Sequence, residues 1–435
     1  MAKVKSIINE VSKYILVFIV MLIIFCISMI ITYSLPNESI RKNVSESLDV
    51  ATKNDINPLF GEKVQGALLD EYTDLLILNT ALNKGMSPNQ SVLQRAFENS
   101  NYYSEINQTI AIKESLDNPN LYNKTEYSRY WHGIQVIIRP LLMVFNYEEI
   151  RYIFYLLMTF LLVCSSYLIY RNVSLYHAIS YIISLASICI FIIPSSIQYM
   201  GIFTVSILGV IAVNILYLKG KERLYPYLFV IIGCCAVFFD LLTTPVISIG
   251  LPLLNIVMID AKRGEKVGKI FKKILKYSII WAVSYGATFV SKWLIASVVL
   301  KRDAVTSAIN QLFFRFNGYE EHPTSRIRAN IHNIKYLACN KVFVLFYVTI
   351  FLVWIVEFIK RGKKIKDIIK YVLLYLFIAL YPYIWYFAIA GHSMTHGWFT
   401  HRAQVVSILS VLAALIECIN IPKYKEISDG KKNKQ

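Results

Sequence analysis

The amino-acid sequence predicts an all-α, polytopic membrane protein with about ten transmembrane helices and a large, mainly helical water-facing loop after the first. Three observations predict it. The 435-residue chain is 56% hydrophobic and only 17% charged, with a mean hydropathy of +0.49, values outside the usual range of soluble domains. Its apolar residues fall in runs of about 17–25, the length that crosses a bilayer. Its lysines and arginines cluster between those runs, so the net charge of +17 reads as positive-inside topology rather than as a nucleic-acid surface.

Taken in order, residues 1–13 are basic and form a cytoplasmic N-terminus. Residues 14–35 make the first span. They are too long for the core of a signal peptide, and no small-x-small cleavage site follows, so they read as an uncleaved anchor. Residues 36–149 form the outer loop domain, with helical patterns over 63–81 and 91–97 between loops rich in Asn, Ser and Pro. Asn37, Asn43, Asn89, Asn107 and Asn123 stand in N-x-Ser/Thr patterns, which arise by chance in so Asn-rich a chain. Residues 131–145 are moderately apolar but interrupted by Arg139-Pro140, and read as an interfacial or re-entrant helix.

Residues 150–421 form a nine-helix bundle, with spans expected at 150–170, 175–193, 201–218, 225–239, 246–259, 277–299, 342–359, 371–390 and 403–421. Charge tests this count. The connections at 219–223, 262–276 and 360–370 and the tail at 422–435 are rich in Lys and Arg, whereas those at 194–200, 240–245 and 391–402 carry only Arg402. That alternation places both termini in the cytoplasm. The outer loop 300–341 is the exception: it is basic and short enough for the rule to apply, so its cations are expected to have a task. Cys26, Cys164, Cys189, Cys234, Cys235 and Cys418 read as small membrane-core residues, and Cys339 as an unpaired thiol near the outer surface. An abundance of Ile, Lys, Asn and Tyr resembles the products of AT-rich bacterial genomes.

The residues able to carry chemistry fall on the outer face. Asp70 and Asp74, with Glu71 between them, are four apart, so on a helix the two aspartates share a face where they would raise one pKa or hold a divalent cation. A solvated helix face is the alternative. The adjoining run Leu75-Leu76-Ile77-Leu78 argues for packed or membrane surface. Tyr127, Arg129, Tyr130, Trp131 and His132, with Arg139, suit a sugar and phosphate site, since rings stack on sugar faces and guanidinium groups grip phosphate. Interfacial anchoring explains the aromatics equally well. Asp240, at the outer end of a span, and Lys292, inside one, are costly unless paired or facing a wet cavity. Lys292 would snorkel, or meet Asp240 or a lipid phosphate. His392 and His396 have i, i+4 spacing that brings zinc into question. With His401 and Arg402 they also suit phosphate recognition or proton transfer. No Walker loop, dinucleotide fingerprint, G-x-S-x-G elbow or H-E-x-x-H is present, which argues against ATP-driven pumps, nucleotide-binding enzymes and the common serine and zinc hydrolases.

In layout, the chain resembles the GT-C superfamily of integral-membrane glycosyltransferases: a short cytoplasmic tail, one span, a large outer loop with acidic residues, then many spans. The resemblance implies a sugar taken from a polyprenyl-phosphate donor and passed to an envelope glycan or lipid-linked acceptor. It also implies a general base in the first outer loop, for which Asp70, Glu71 and Asp74 are the matching residues. The family's acidic residue stands soon after the first span, whereas Asp70-Glu71 lies about 35 residues into this loop. Two other classes fit the same residues: a transporter or flippase of a lipid-linked saccharide, with Asp240 and Lys292 as coupling groups, and an acyltransferase using an outer histidine.

Overall fold

In a bilayer every backbone N–H and C=O must be paired within its own segment, so long apolar runs fold as helices. The computed structural model describes residues 2–48, 56–58, 65–82, 85–86, 89–118, 124–319, 322–338 and 341–419. Helix α1 (Ala2–Ser34) leads into the outer loop, whose elements are α2 (Glu38–Ser47), β1 (Ile56–Pro58), β2 (Leu68–Asp70), α3 (Glu71–Ala81), α4 (Val92–Glu98), β3 (Asn101–Tyr102), α5 (Gln108–Asp117), β4 (Lys124–Thr125) and α6 (Gln135–Leu142). The bundle continues with α7 (Tyr147–Asn172), α8 (Leu175–Ser187), α9 (Ile197–Leu218), α10 (Tyr225–Phe239), α11 (Val246–Lys262) and α12 (Val267–Leu300). Then come α13 (Ala304–Asn317), β5 (Gly318–Tyr319), β6 (His322–Pro323), α14 (Arg326–Ala338) and α15 (Lys341–Arg361). The chain closes with α16 (Ile365–Ala379), α17 (Tyr381–Ala388), α18 (Ala390–Thr395), α19 (Gly397–Thr400) and α20 (Val405–Glu417). The strands form three antiparallel pairs, β1 with β2, β3 with β4 and β5 with β6.

Among the described residues seven helical stretches are long and apolar enough to cross a membrane: Ile8–Ser34, Tyr147–Asn172, Ile197–Leu218, Glu222–Phe239, Val267–Leu300, Ile368–Ala388 and Gly397–Glu417. The protein is therefore a predominantly helical membrane protein. The three other expected spans coincide with α8, α11 and α15. Helices α8 and α11 have 13 and 17 residues, short of the roughly 20 that cross a bilayer at 1.5 Å per residue. A 3₁₀ turn over Ile190–Ser195, containing Pro194, extends α8. The basic tail and Cys339 lie outside the described residues.

The connections gather into two sets. In one, Lys276 pairs with Glu10 at 2.6 Å, Arg263 with Glu222 at 2.7 Å, and the Tyr371 hydroxyl donates to the Glu265 carbonyl. These are the segments expected in the cytoplasm. In the other set, the 36–149 segment meets 194–200 through Asp74 and Ser196, α12's end through Glu98 and Arg302, and 391–402 through Gly66 and Arg402, and 391–402 meets 240–245 through His392 and Leu242. Close helix contact depends on small residues, as is usual where helices cross in membranes. A Cβ on Gly201 of α9 would stand 2.3 Å from the Phe239 carbonyl oxygen of α10.

The 36–149 segment is keyed to the bundle by buried polar side chains. The indole N–H of Trp131 donates to the Thr288 carbonyl at 2.9 Å, and the ring packs against Phe25, Phe97 and Phe238. Lys292 neither snorkels nor meets Asp240. Its ammonium donates to the Phe97 carbonyl at 2.7 Å, near the C-terminal end of α4, with the Phe97 ring 4.8 Å away. A cation at a helix C-terminus is favoured by the exposed carbonyls there.

Candidate functional site

The helical pattern over 63–81 resolves into a 3₁₀ turn at Gln65–Ala67, strand β2 and helix α3. Asp70 is the residue before that helix. Its carboxylate accepts from the Thr73 backbone N–H at 3.0 Å and the Thr73 hydroxyl at 2.9 Å, so it caps α3. Asp70 and Asp74 are thus not partners on one helical face, which corrects the expectation from their spacing. A side chain that can satisfy the first-turn amides stops the helix where an i, i+4 count would continue it.

Asp74, in the first turn of α3, is fully buried and heavily used. It accepts from the Tyr147 hydroxyl, the Ser196 hydroxyl at 2.9 Å, and the backbone N–H groups of Ile197 at 3.0 Å and Gln198 at 2.9 Å. Ile197 and Gln198 begin α9, so Asp74, on α3, caps a bundle helix distant in sequence. Burial pushes its carboxyl up to about 6 against the pull of Tyr147 and the Gln198 amide. Glu71 is also buried, and the Arg151 guanidinium lies within electrostatic reach of both Glu71 and Asp74. Arg151 donates in turn to the Tyr147 hydroxyl at 2.7 Å.

Asp70 has different company. Burial raises its carboxyl above the ordinary 3.8, while Thr73, the Trp398 indole alongside and the Arg402 guanidinium draw it down. Arg402 donates to the carbonyls of Trp398 at 2.8 Å, Gly66 at 3.2 Å and Leu68 at 3.0 Å, and lies 4.3 Å over the Tyr199 ring. It therefore holds the peptide that delivers Asp70. Next to it, His401 places Nδ1 2.9 Å from the Gly397 carbonyl, which can only accept, so Nδ1 carries the proton and Nε2 keeps its lone pair. That Nε2 is buried without a hydrogen-bond partner and faces Gly66, where a Cβ would stand 3.7 Å away.

A separate cationic group centres on α13. Arg315, on α13, was not singled out by sequence reasoning; its only signal was the basic character of an outer loop. One of its terminal nitrogens lies 2.8 Å from His392 Nδ1 and 3.0 Å from His396 Nε2. His392 Nε2 is 2.8 Å from the Leu242 carbonyl, so Nδ1 accepts from Arg315. Burial, the Arg315 charge and, for His392, the neighbouring His396 hold both imidazoles below the ordinary 6.5, His396 at about 4 and His392 well below. The zinc reading of this pair meets a physical obstacle: a guanidinium occupies the lone pairs that would bind the ion. Among the described residues no three His, Cys, Asp or Glu side chains are arranged to hold a metal.

The His392 contact joins the 391–402 segment to the turn of Asp240. Both Asp240 carboxylate oxygens accept from the Thr243 N–H at 3.0 Å, and Leu242 adopts a left-handed φ of 70° to close the turn. Burial pushes the Asp240 carboxyl up to about 7 against the Thr243 contacts.

The aromatic segment completes the wall. Tyr127 and Tyr130 meet edge to face at 5.3 Å, with the Arg129 guanidinium 4.6 Å over Tyr127. His132 Nε2 is 3.2 Å from the Tyr127 carbonyl, and burial holds its imidazole down at about 3. Tyr127 lies within electrostatic reach of both Arg315 and Tyr72, which links the Arg129 and Arg315 groups to the residue two after Asp70. Arg129 and Arg315 each keep a buried Nε with no hydrogen-bond partner. Arg139 does not join them. It donates to the carbonyls of Thr32 at 3.1 Å, Ala81 and Leu35 at 3.3 Å, and to Asn37 Oδ1 at 2.7 Å. It clamps the C-terminal ends of α1 and α3, leaving no fork for a phosphate.

An apolar cavity of about 370 Å³ runs between α6, α7, α9 and α10, lined by residues such as Ile134, Phe154, Met200, Leu208, Ile231 and Phe239. Phe239 adjoins Asp240, and Met200 follows the Asp74-capped start of α9. No protein-family profile, curated protein or solved structure matches the chain.

Proposed function

We propose that this protein is an integral-membrane glycosyltransferase of GT-C type that takes a sugar from a polyprenyl-phosphate donor and passes it to a cell-envelope acceptor at the outer face of the membrane. One observation carries the reading. At one end of an apolar bundle, the buried carboxylate of Asp70 lies within electrostatic reach of Arg402, Arg129 and Arg315 each keep a buried Nε without a hydrogen-bond partner and both reach Tyr127, and an apolar cavity opens between α6, α7, α9 and α10. A carboxylate, a cationic group and an apolar slot are what an acceptor hydroxyl, a lipid phosphate and a prenyl chain require.

In this reading the Asp70 carboxylate takes the proton from the acceptor hydroxyl. The oxygen attacks the anomeric carbon with inversion, and the bond from that carbon to the lipid phosphate breaks. The phosphate leaves with the electron pair, and Arg129 and Arg315 stabilise its charge. Arg402 orients Asp70 and favours its ionised form. Tyr127 and Tyr130 offer faces to the sugar. Asp74 anchors the outer domain to α9, and Asp240 is the reserve base. The ten-span arrangement with cytoplasmic termini belongs to the same proposal, supported by the alternation of charge and by the gathering of the basic connections at one end.

The test is purified protein in liposomes, given a panel of labelled prenyl-phosphate sugars and an envelope acceptor extract. The expected result is label on the acceptor. Lipid-linked sugar crossing between leaflets without transfer would establish a transporter instead, and an acyl group on the acceptor an acyltransferase.

A further inference from the structure

The segment between α12 and α15 is basic although it lies with the outer connections, and its two helices have an unusual division of faces. In α13, Ala304 and Ala308 are buried, and Arg315 continues that face to the two histidines. About a third of a turn away, at 100° per residue, Ile309, Leu312 and Phe313 are exposed, Phe313 by 60%. Thr306, Asn310 and Asn317 fill the third face.

Helix α14 repeats the plan. Asn333 faces inward, donating to the Ser393 carbonyl at 2.9 Å and accepting from the Thr400 hydroxyl at 2.6 Å, and Arg326 donates to the Phe387 carbonyl at 2.7 Å. Ile327, Ile331 and Ile334 line an exposed stripe, Ile327 by 68%, with the exposed Arg328 and Lys335 along its edge. The stripes continue the lipid-facing surface of the neighbouring spans: Leu294 and Val298 on α12, and Ile384 and Phe387 on α17, are all more than half exposed.

We infer that α13 and α14 lie in the bilayer interface at this end of the bundle, their isoleucine and phenylalanine stripes among the acyl chains and Arg328 and Lys335 on the headgroups of anionic phospholipids. A helix with one apolar face and a cationic margin takes this position, and each surface cation draws anionic lipid toward it. The bilayer then becomes part of the site's construction, because α13 carries Arg315 on its inward face. The inference does not depend on which reaction the site performs.

The experiment uses the full chain with a photoreactive benzophenone side chain replacing Phe313, Ile331 or Asn310, in liposomes of equal parts phosphatidylcholine and phosphatidylglycerol. Phe313 and Ile331 are exposed, so the replacements leave the packing intact. The expected result is lipid adducts from positions 313 and 331 but not from 310. Phosphatidylglycerol adducts should outnumber phosphatidylcholine adducts about fivefold. In the R328Q/K335Q double variant, adducts should persist while the enrichment falls to parity. Adducts between two copies of the chain, lipid adducts no more frequent at 313 and 331 than at 310, or enrichment unchanged by the double substitution would each overturn the inference.

Discussion

Replacing Asp74 by alanine removes the acceptor from four buried donors at once. Two of them, the hydroxyls of Tyr147 and Ser196, can turn elsewhere; Tyr147 already has the Ser195 carbonyl at 3.4 Å. The other two, the N–H groups of Ile197 and Gln198, are fixed by the first turn of α9, and Ser196, though in the N-cap position, makes no cap bond of its own. An unsatisfied buried donor costs about 1–3 kcal/mol, so the two amides alone predict a loss of roughly 2–6 kcal/mol, against typical total stabilities of about 5–15 kcal/mol. Asp74→Asn retains one carbonyl oxygen and loses the charge at the helix N-terminus, and should lose about half as much. Denaturant or thermal unfolding in detergent micelles measures both. Wild-type stability in both variants, with transfer abolished, would refute the anchoring argument and make Asp74 a participant in the chemistry.

Lys292→Met should strip the Phe97 carbonyl of its donor and lower stability by about 1–3 kcal/mol, read by the same unfolding assay, without changing the donor concentration at half-maximal rate. Arg315→Ala should weaken donor use on the scale of one charged hydrogen bond, about 1.5–3 kcal/mol or roughly 10- to 150-fold in kcat/KM; unaltered donor dependence would remove Arg315 from the phosphate site. A pH–rate profile should show transfer falling with acid through a single step above the ordinary carboxylate value of 3.8, because burial raises Asp70 and a base works only when ionised. His392 and His396 are held below the ordinary 6.5, so a step near 7 in place of the lower one would point to Asp240, at about 7, as the base.

The positions of the apolar helices were legible because hydrophobic run length is nearly the whole determinant of a span. The grouping of 194–200, 240–245 and 391–402 follows the alternation of cations, whereas 300–341 is basic and joins them against it. What single residues do there was not legible. Asp70 and Asp74 look like a helical pair, but one caps α3 and the other caps α9, more than a hundred residues away, a contact that only tertiary packing reveals. Arg139 and Lys292 look like phosphate or coupling cations. Each is consumed by carbonyls at the ends of helices, and residue type cannot tell a free guanidinium from a clamped one. Arg315 was hidden among the basic residues of its loop, because its importance lies in which face of α13 it shares with Ala304 and Ala308. The His392–His396 spacing suggested zinc, and only the approach of α13 places a cation where the ion would sit.

The central claim is that Asp70 is the base of a sugar transfer. Asp70→Asn keeps the shape of the side chain and an oxygen for Thr73, and removes the charge and the proton-accepting function. Its direct test is the rate of sugar transfer by the purified variant in liposomes, beside an unfolding curve that confirms the fold. General-base contributions are about 10²–10⁴-fold, so the account predicts a rate lower by at least about a hundredfold with the unfolding transition nearly unmoved. Transfer at the wild-type rate by a folded Asp70→Asn protein would contradict it.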